Sequence, residues 1–224
     1  MSAFYVHLGH YGSGKTELSL NVALGAAAQG KRVALVDLDI VNPFFRSGEQ
    51  GELLRSAGVE LIAPLFVGTT VDIPALPAQV GSVFTGAYDT VILDVGGDPA
   101  GATALGRYHR ELSAAKPWVR CVANAQRPLS ATAQDIAALA RDMEARGRVR
   151  ISALVNNTNL MGETTAGLVL QGGRIVAEAA ALLGVPVEFT MARRDLCPQL
   201  VQLGAANVMP IDLYTHPSWL DTPI

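Results

Sequence analysis

The chain has 224 residues, 50% of them hydrophobic and 17% charged, and carries a formal net charge of −3 at neutral pH. That length suits one α/β domain with an ample core, residues 1–224 with 210–224 as a C-terminal tail, and that charge excludes a general electrostatic attraction to nucleic acid or to anionic lipid. The two cysteines, Cys121 and Cys197, stand apart and form neither a disulfide framework nor a C-x-x-C metal motif; with no signal-peptide pattern and no uninterrupted apolar run of membrane-span length, the expected location is the cytoplasm and no membrane partner is expected.

The first predicted element is a short buried strand over 4–8. It runs into Gly9-His10-Tyr11-Gly12-Ser13-Gly14-Lys15-Thr16, which fits the phosphate-loop pattern G-x-x-x-x-G-K-[ST]. Such a loop turns its backbone N–H groups onto phosphate oxygens, and glycine at 9, 12 and 14 leaves the approach clear of side chains. Lys15 adds a point charge for the β- and γ-phosphates. Thr16 offers a hydroxyl to Mg²⁺ and opens a helix over 15–29, closed by Gly30, whose N-terminal dipole favours the same anion. Gly9, Gly12, Ser13, Gly14, Lys15, Thr16 and Glu17 are therefore the nucleotide-binding set expected from this stretch. A dinucleotide G-x-G-x-x-G is excluded, because the third small residue would fall on Glu17.

A buried strand over 32–37 ends in an acid, as parallel strands do where they meet a site. Residues 37–47, Asp-Leu-Asp-Ile-Val-Asn-Pro-Phe-Phe-Arg-Ser, are too polar and too aromatic for a plain connector and read as a switch loop. A helix over 49–57, a strand over 59–62 and a helical or irregular stretch over 72–85 follow. The strand over 90–94 ends in Asp94 and leads into Val95-Gly96-Gly97-Asp98, the form of a Walker B strand with a second switch. A carboxylate there can order the Mg²⁺ hydration shell, and Gly97 can turn a backbone N–H toward a γ-phosphate. Helices over 101–114, 130–146 and 163–183 then alternate with strands over 118–124, 149–155 and 185–189, with Gly147 and Gly184 at helix C-caps. The expected fold is a doubly wound, mostly parallel sheet of about seven strands with helices on both faces. The tail from Pro210 is polar and turn-rich and is expected to wrap the surface or meet a partner.

With the phosphate loop, the Asp37-Leu38-Asp39 loop and Asp94-Val95-Gly96-Gly97 in hand, the chain resembles the MinD/ParA/CobQ-type P-loop NTPases over about residues 3–190. The stretch at 37–47 and Asn156-Asn157-Thr158-Asn159-Leu160 are similar to a group of stand-alone ATP-binding proteins within that branch. The resemblance implies ATP and Mg²⁺ as ligands. It also places Asp39 near the attacking water or the metal, Asp94 with Thr16 near the metal, and Asn156 or Asn157 at the adenine edge. The lysine that MinD and ParA carry at the second loop position, which reaches a partner subunit's nucleotide, is His10 here, which argues against a nucleotide-sandwich dimer and leaves a homodimer as one of the partner alternatives. Arg46 is the alternative cation for transition-state charge, in cis or from a second subunit, because a guanidinium is always charged and suits phosphate geometry. The Asn-Lys-x-Asp pattern that reads guanine is absent from 156–159, which favours ATP over GTP.

Three functions are weighed. The first is a Mg²⁺-dependent ATPase acting as a nucleotide-driven switch for a protein partner that the sequence does not identify, with Lys15, Asp39 and Arg46 as the catalytic set. The second is an ATP-dependent ligase or kinase of the dethiobiotin-synthetase type with a small-molecule substrate, held by Arg107, His109, Arg110 and residues 124–127. The third is a regulatory module that binds ATP or ADP without chemistry.

Overall fold

The computed structural model describes residues 2–39, 48–63, 79–86 and 88–215. Its elements run β1 (Ala3–Leu8), α1 (Lys15–Ala28), β2 (Val33–Leu38), α2 (Gly48–Ser56), β3 (Val59–Ile62), α3 (Gln79–Ser82), β4 (Thr90–Val95), α4 (Pro99–Gly106) and α5 (His109–Ala115). They continue with β5 (Trp118–Ala123), α6 (Ala133–Gly147), β6 (Ala153–Asn156), α7 (Ala166–Leu183), β7 (Val187–Arg193), α8 (Cys197–Gln202) and β8 (Val208–Ile211). The strands form one eight-stranded sheet in the order β3-β2-β4-β1-β5-β6-β7-β8. Every pairing in it is parallel.

Continuous apolar strands are what a sheet buried on both faces requires. β4 is buried along its whole length, and its alternation sorts the core. Val91, Leu93 and Val95 pack with Leu105, Ile136 and Val176, whereas Ile92 packs with Leu20, Ala23 and Leu35 against α1. Fully burying each such aliphatic side chain stabilises the fold by about 1.5–3 kcal/mol. Helix starts are capped as the residue types suggest. Asp98 accepts from the Gly101 N–H at 2.7 Å with Pro99 in the first turn, Thr132 accepts from the Asp135 N–H, and Thr165 accepts from the Leu168 N–H.

The doubly wound parallel class stands as expected, with differences of detail. The sheet gains an edge strand, β8, where the sequence reading had placed only the start of a tail; Pro210 in it is tolerated because an edge strand has one side without a ladder. The helix expected over 101–114 is two helices. α4 stops at Gly106, where a Cβ would come within 2.6 Å of the Arg146 carbonyl oxygen, and the chain restarts as α5. The left-handed C-cap of α6 falls on Arg148 (φ 52°) and not on Gly147, whereas Gly184 (φ 69°) caps α7 as read.

Of the stretch over 72–85, only 79–85 lies within the described residues. Arg46 and most of the first switch loop fall outside them. α7 is long and apolar enough to cross a membrane by length and composition, although Arg174 and Glu178 interrupt its apolar run. Here Val169, Gly172, Val176 and Ala179 are buried where the helix packs on α6, β6 and β7.

Candidate functional site

The strand order places β1 at the centre, with β4 on one flank and β5 on the other, and a ligand crevice is expected at the carboxyl ends of such strands. The loop from β1 to α1 lies there. It closes on itself through the Ser13 N–H to the His10 carbonyl at 3.1 Å, and Gly14 in the left-handed region (φ 93°) caps α1. The glycines answer to the protein as much as to any phosphate. A Cβ at Gly9 would run into the Val122 carbonyl on β5, and a Cβ at Gly14 into the side-chain amide of Asn157. Gly12 is different, since a Cβ there would meet the Arg127 guanidinium at 3.1–3.3 Å.

Lys15 is buried, and its ammonium donates to the His10 carbonyl at 3.1 Å. Burial pulls its pKa down, while Asp94 and Asp39 oppose that pull. Pairing β1 and β2 to β4 sets His7 and Asp37 beside Asp94, so the acids at the ends of two strands converge. Asp94 is pushed up to about 7, chiefly by burial; Lys15 and the Thr16 hydroxyl bond work against the rise, and Asp37 and Asp39 add to it. Asp37 accepts from the Asp39 N–H at 2.8 Å, which fixes the first residues of the switch loop against β2.

Two buried side-chain atoms have no hydrogen-bond partner among the described residues, Asp94 Oδ1 and Ser13 Oγ. Buried polar atoms are normally paired, so these two fit a group supplied from outside. Among the described residues no three of His, Cys, Asp and Glu are grouped to hold a metal by themselves. Mg²⁺ does not need such a cage, since it takes one or two carboxylates and completes its shell with water, phosphate and other oxygens. Thr16, Asp94 and Asp39 fit that pattern.

Beyond the loop opens a cavity of about 450 Å³. Its polar end holds Lys15, Thr16, Asp94 and Arg127, and its apolar end holds Met161, Val169, Met191 and Leu213. A ligand with a charged end and a flat apolar end matches this division. Asn157 lines the cavity and ties its two ends together, donating from its side-chain amide to the Ser13 carbonyl at 2.7 Å.

The sequence-derived residues sort unevenly. Gly12, Gly14, Lys15, Thr16, Asp39, Asp94 and Asn157 line the cavity. Asn156 does not. Its side chain is buried between α7 and β7, donating to the Val169 carbonyl and the Thr190 hydroxyl and accepting from Thr158. Gly97 backs the loop, where a Cβ would lie 2.5 Å from the Tyr11 nitrogen. Glu17 reaches the cavity wall, yet its carboxylate is held by the C-terminal segment, accepting from Tyr214 N–H at 2.6 Å, Thr215 N–H at 3.1 Å and the Thr215 hydroxyl at 2.5 Å. Asp37 and Arg127 line the cavity without having been singled out as nucleotide ligands.

A family model described as the CobQ/CobB/MinD/ParA nucleotide binding domain matches residues 9–171, well over half of the chain. The chain belongs to this family. No curated protein matches it in sequence. Among solved structures, this CobQ/CobB/MinD/ParA domain is similar to the cell division protein FtsY of Thermotoga maritima, with a TM-score of 0.59 and 19% identity over 86% of this chain and 62% of that one. It is also similar to the signal recognition particle 54 kDa protein of Aeropyrum pernix, solved in complex with GDP, with a TM-score of 0.57 and 24% identity over 84% of this chain and 41% of that one. At such identities the likeness is one of fold, and the domain spans less than two thirds of either structure.

Proposed function

We propose that the protein is a Mg²⁺-dependent ATP-binding protein and ATPase that works as a nucleotide-driven switch for a partner. The observation that carries the reading is the facing pair at the polar end of the cavity: a buried lysine in the phosphate loop and, across from it, a buried Asp94 carboxylate with an oxygen that has no partner among the described residues. A ligand that brings both negative phosphate and a divalent cation satisfies both at once.

In this reading the backbone N–H groups of the phosphate loop and the Lys15 ammonium bind the β- and γ-phosphates. Thr16 and Asp94 would hold Mg²⁺, directly or through its water, and the ion would neutralise charge on the phosphates. Asp39, fixed by its N–H to Asp37, orients a water toward the γ-phosphorus. The new P–O bond forms as the bond to the β-phosphate oxygen breaks, leaving ADP and inorganic phosphate. The first switch loop, 37–47, contains Asp39 and the second follows Asp94, so loss of the γ-phosphate is felt by both. Adenine is favoured because Asn157 and Asn159 line the cavity and a side-chain amide can both donate and accept, while the Glu17 carboxylate beside Leu213 is already taken up by Tyr214 and Thr215 and not offered to the guanine N1 and N2 donors.

The ligase reading is weakened. Of Arg107, His109, Arg110 and residues 124–127, only Arg127 lines the cavity.

Phosphate release from Mg·ATP by the purified protein, with Mg·GTP in parallel, tests the proposal. Slow release with ATP, abolished in Lys15→Ala and in Asp39→Ala, is expected; release that persists in Lys15→Ala, or that runs faster with GTP, overturns it.

A further inference from the structure

Arg127 sits on the phosphate loop with no role in the reaction just described. Its backbone is fixed on both sides. A turn after β5 closes through the Arg127 N–H to the Asn124 carbonyl at 3.1 Å, and Pro128 begins a 3₁₀ turn immediately after. Asn124 is itself buried and anchors that turn to the loop after β6, accepting from the Gln126 and Asn159 N–H groups and donating to the Asn159 carbonyl.

The side chain then folds back over the loop. Arg127 Nε donates to the Gly12 carbonyl at 3.2 Å, and the guanidinium covers the face of Gly12 on which a side chain would otherwise stand. The group lines the same cavity as Lys15 and Thr16, and no ion pair joins it to a carboxylate among the described residues. Of the five N–H donors of a guanidinium, the terminal ones stay available in a fork that matches two oxygens of one phosphate. Position decides which phosphates. Arg127 comes from the β5 flank of the loop, opposite the β4 flank that carries Asp94, so it bears on the part of the polyphosphate away from the metal carboxylates.

We infer that Arg127 is a polyphosphate-binding residue of this site, engaging phosphates common to the nucleoside di- and triphosphate. This rests on the nucleotide reading above. The Gly12 carbonyl serves as a rest that holds the guanidinium over the loop before a ligand arrives, which reduces the ordering that binding has to accomplish.

The test is the affinity of the whole chain for Mg·ADP and Mg·ATP, by calorimetry at several salt concentrations, in wild type, Arg127→Ala, Arg127→Lys and Lys15→Ala, with the thermal unfolding of each protein as a check on folding. Removing a charge-assisted contact to phosphate is expected to weaken both nucleotides alike, by about 10- to 100-fold. The affinity of Arg127→Ala should also depend less steeply on salt than that of wild type, which loss of a purely structural bond to Gly12 would not bring about. Arg127→Lys should recover only part of the loss, because an ammonium lacks the fork. Unchanged affinity in Arg127→Ala while Lys15→Ala loses binding overturns the assignment of Arg127 and leaves the nucleotide site standing. Equal and negligible binding in wild type and Lys15→Ala overturns both.

Discussion

His7 is a buried imidazole whose hydrogen bonds fix its tautomer. The Ser19 hydroxyl donates to the Lys15 carbonyl at 2.9 Å, so toward His7 Nδ1 at 2.8 Å it must accept, and the ring proton therefore sits on Nδ1. Nε2 then presents its lone pair to the Arg120 guanidinium at 3.4 Å. Burial first, and Arg120 second, hold the pKa of His7 well below 6.5. Arg120 is in turn held by Glu188 in a two-pronged pair and lies over the Tyr5 ring. A depressed pKa in the folded chain means that below about 6.5 the unfolded chain takes up the proton and the folded chain does not, so stability is fully present above that pH and falls as the pH drops. Urea denaturation is expected to show wild type losing up to ~1.4 kcal/mol per pH unit more than His7→Gln between pH 6 and 5, the opposite slope of Asp94, raised to about 7, being common to both. In His7→Gln that component should vanish, and an identical slope in both would refute the neutral-imidazole account. At this scale the sequence was readable where chemistry is contiguous. Lys15, Thr16 and the loop glycines follow one another along the chain. Asn156 turns away from the cavity while its neighbour Asn157 lines it, because neighbours at a strand end point to different sides; the hold of the C-terminal segment on Glu17 and the place of Arg127 on Gly12 exist only once the chain has folded.

The segment after β8 behaves as a strap on the first turn of α1. Glu17 collects three donors from Tyr214 and Thr215, Asn21 exchanges two bonds with the Asp212 backbone, and Arg194 pairs with Asp212. Gln50 on α2 donates to the Tyr214 carbonyl, so the strap also touches the helix that follows the first switch loop. Leu213 and Thr215 line the cavity, which makes the strap one of its walls. Glu17→Ala removes bonds to a charged acceptor worth about 1.5–3 kcal/mol each. Limited proteolysis should then cut within 212–215 faster, and Mg·ATP should bind more weakly; unchanged cleavage and unchanged affinity would show that the strap is held by other means. Little of this was legible beforehand. β8 is four residues long and contains a proline, and its hold on the sheet comes from β7 beside it and not from its own pattern. The break between α4 and α5 was equally hidden, as was the close approach of Gly106 at the end of α4 to Arg146 on another helix.

At the scale of the molecule, one central strand organises the rest. β1 has a partner on each side, whereas β3 and β8 are the two edges of the sheet. Backbone amides should exchange with solvent most slowly in β1 and β4 and fastest in β3 and β8. Mg·ATP should add protection to the phosphate loop, to 157–160 and to 212–215 together, because Asn157 and Glu17 connect all three. Protection confined to the phosphate loop would contradict that connection. The overall class was the most legible level of all, since alternating apolar strands and capped helices leave few ways to arrange a parallel sheet. Gly9 and Gly14 carry a last consequence, one for descent. Their lack of a side chain is required by Val122 and Asn157, parts of the chain itself, so a descendant that had abandoned its ligand would still keep both glycines for as long as it kept those neighbours. The packing of the described residues gives no such shelter to a buried ammonium resting on one carbonyl or to a carboxylate oxygen with no partner among them. In a lineage drifting toward disuse, Lys15 and Asp94 would erode first, and the glycine spelling of the motif would outlast the activity it advertises.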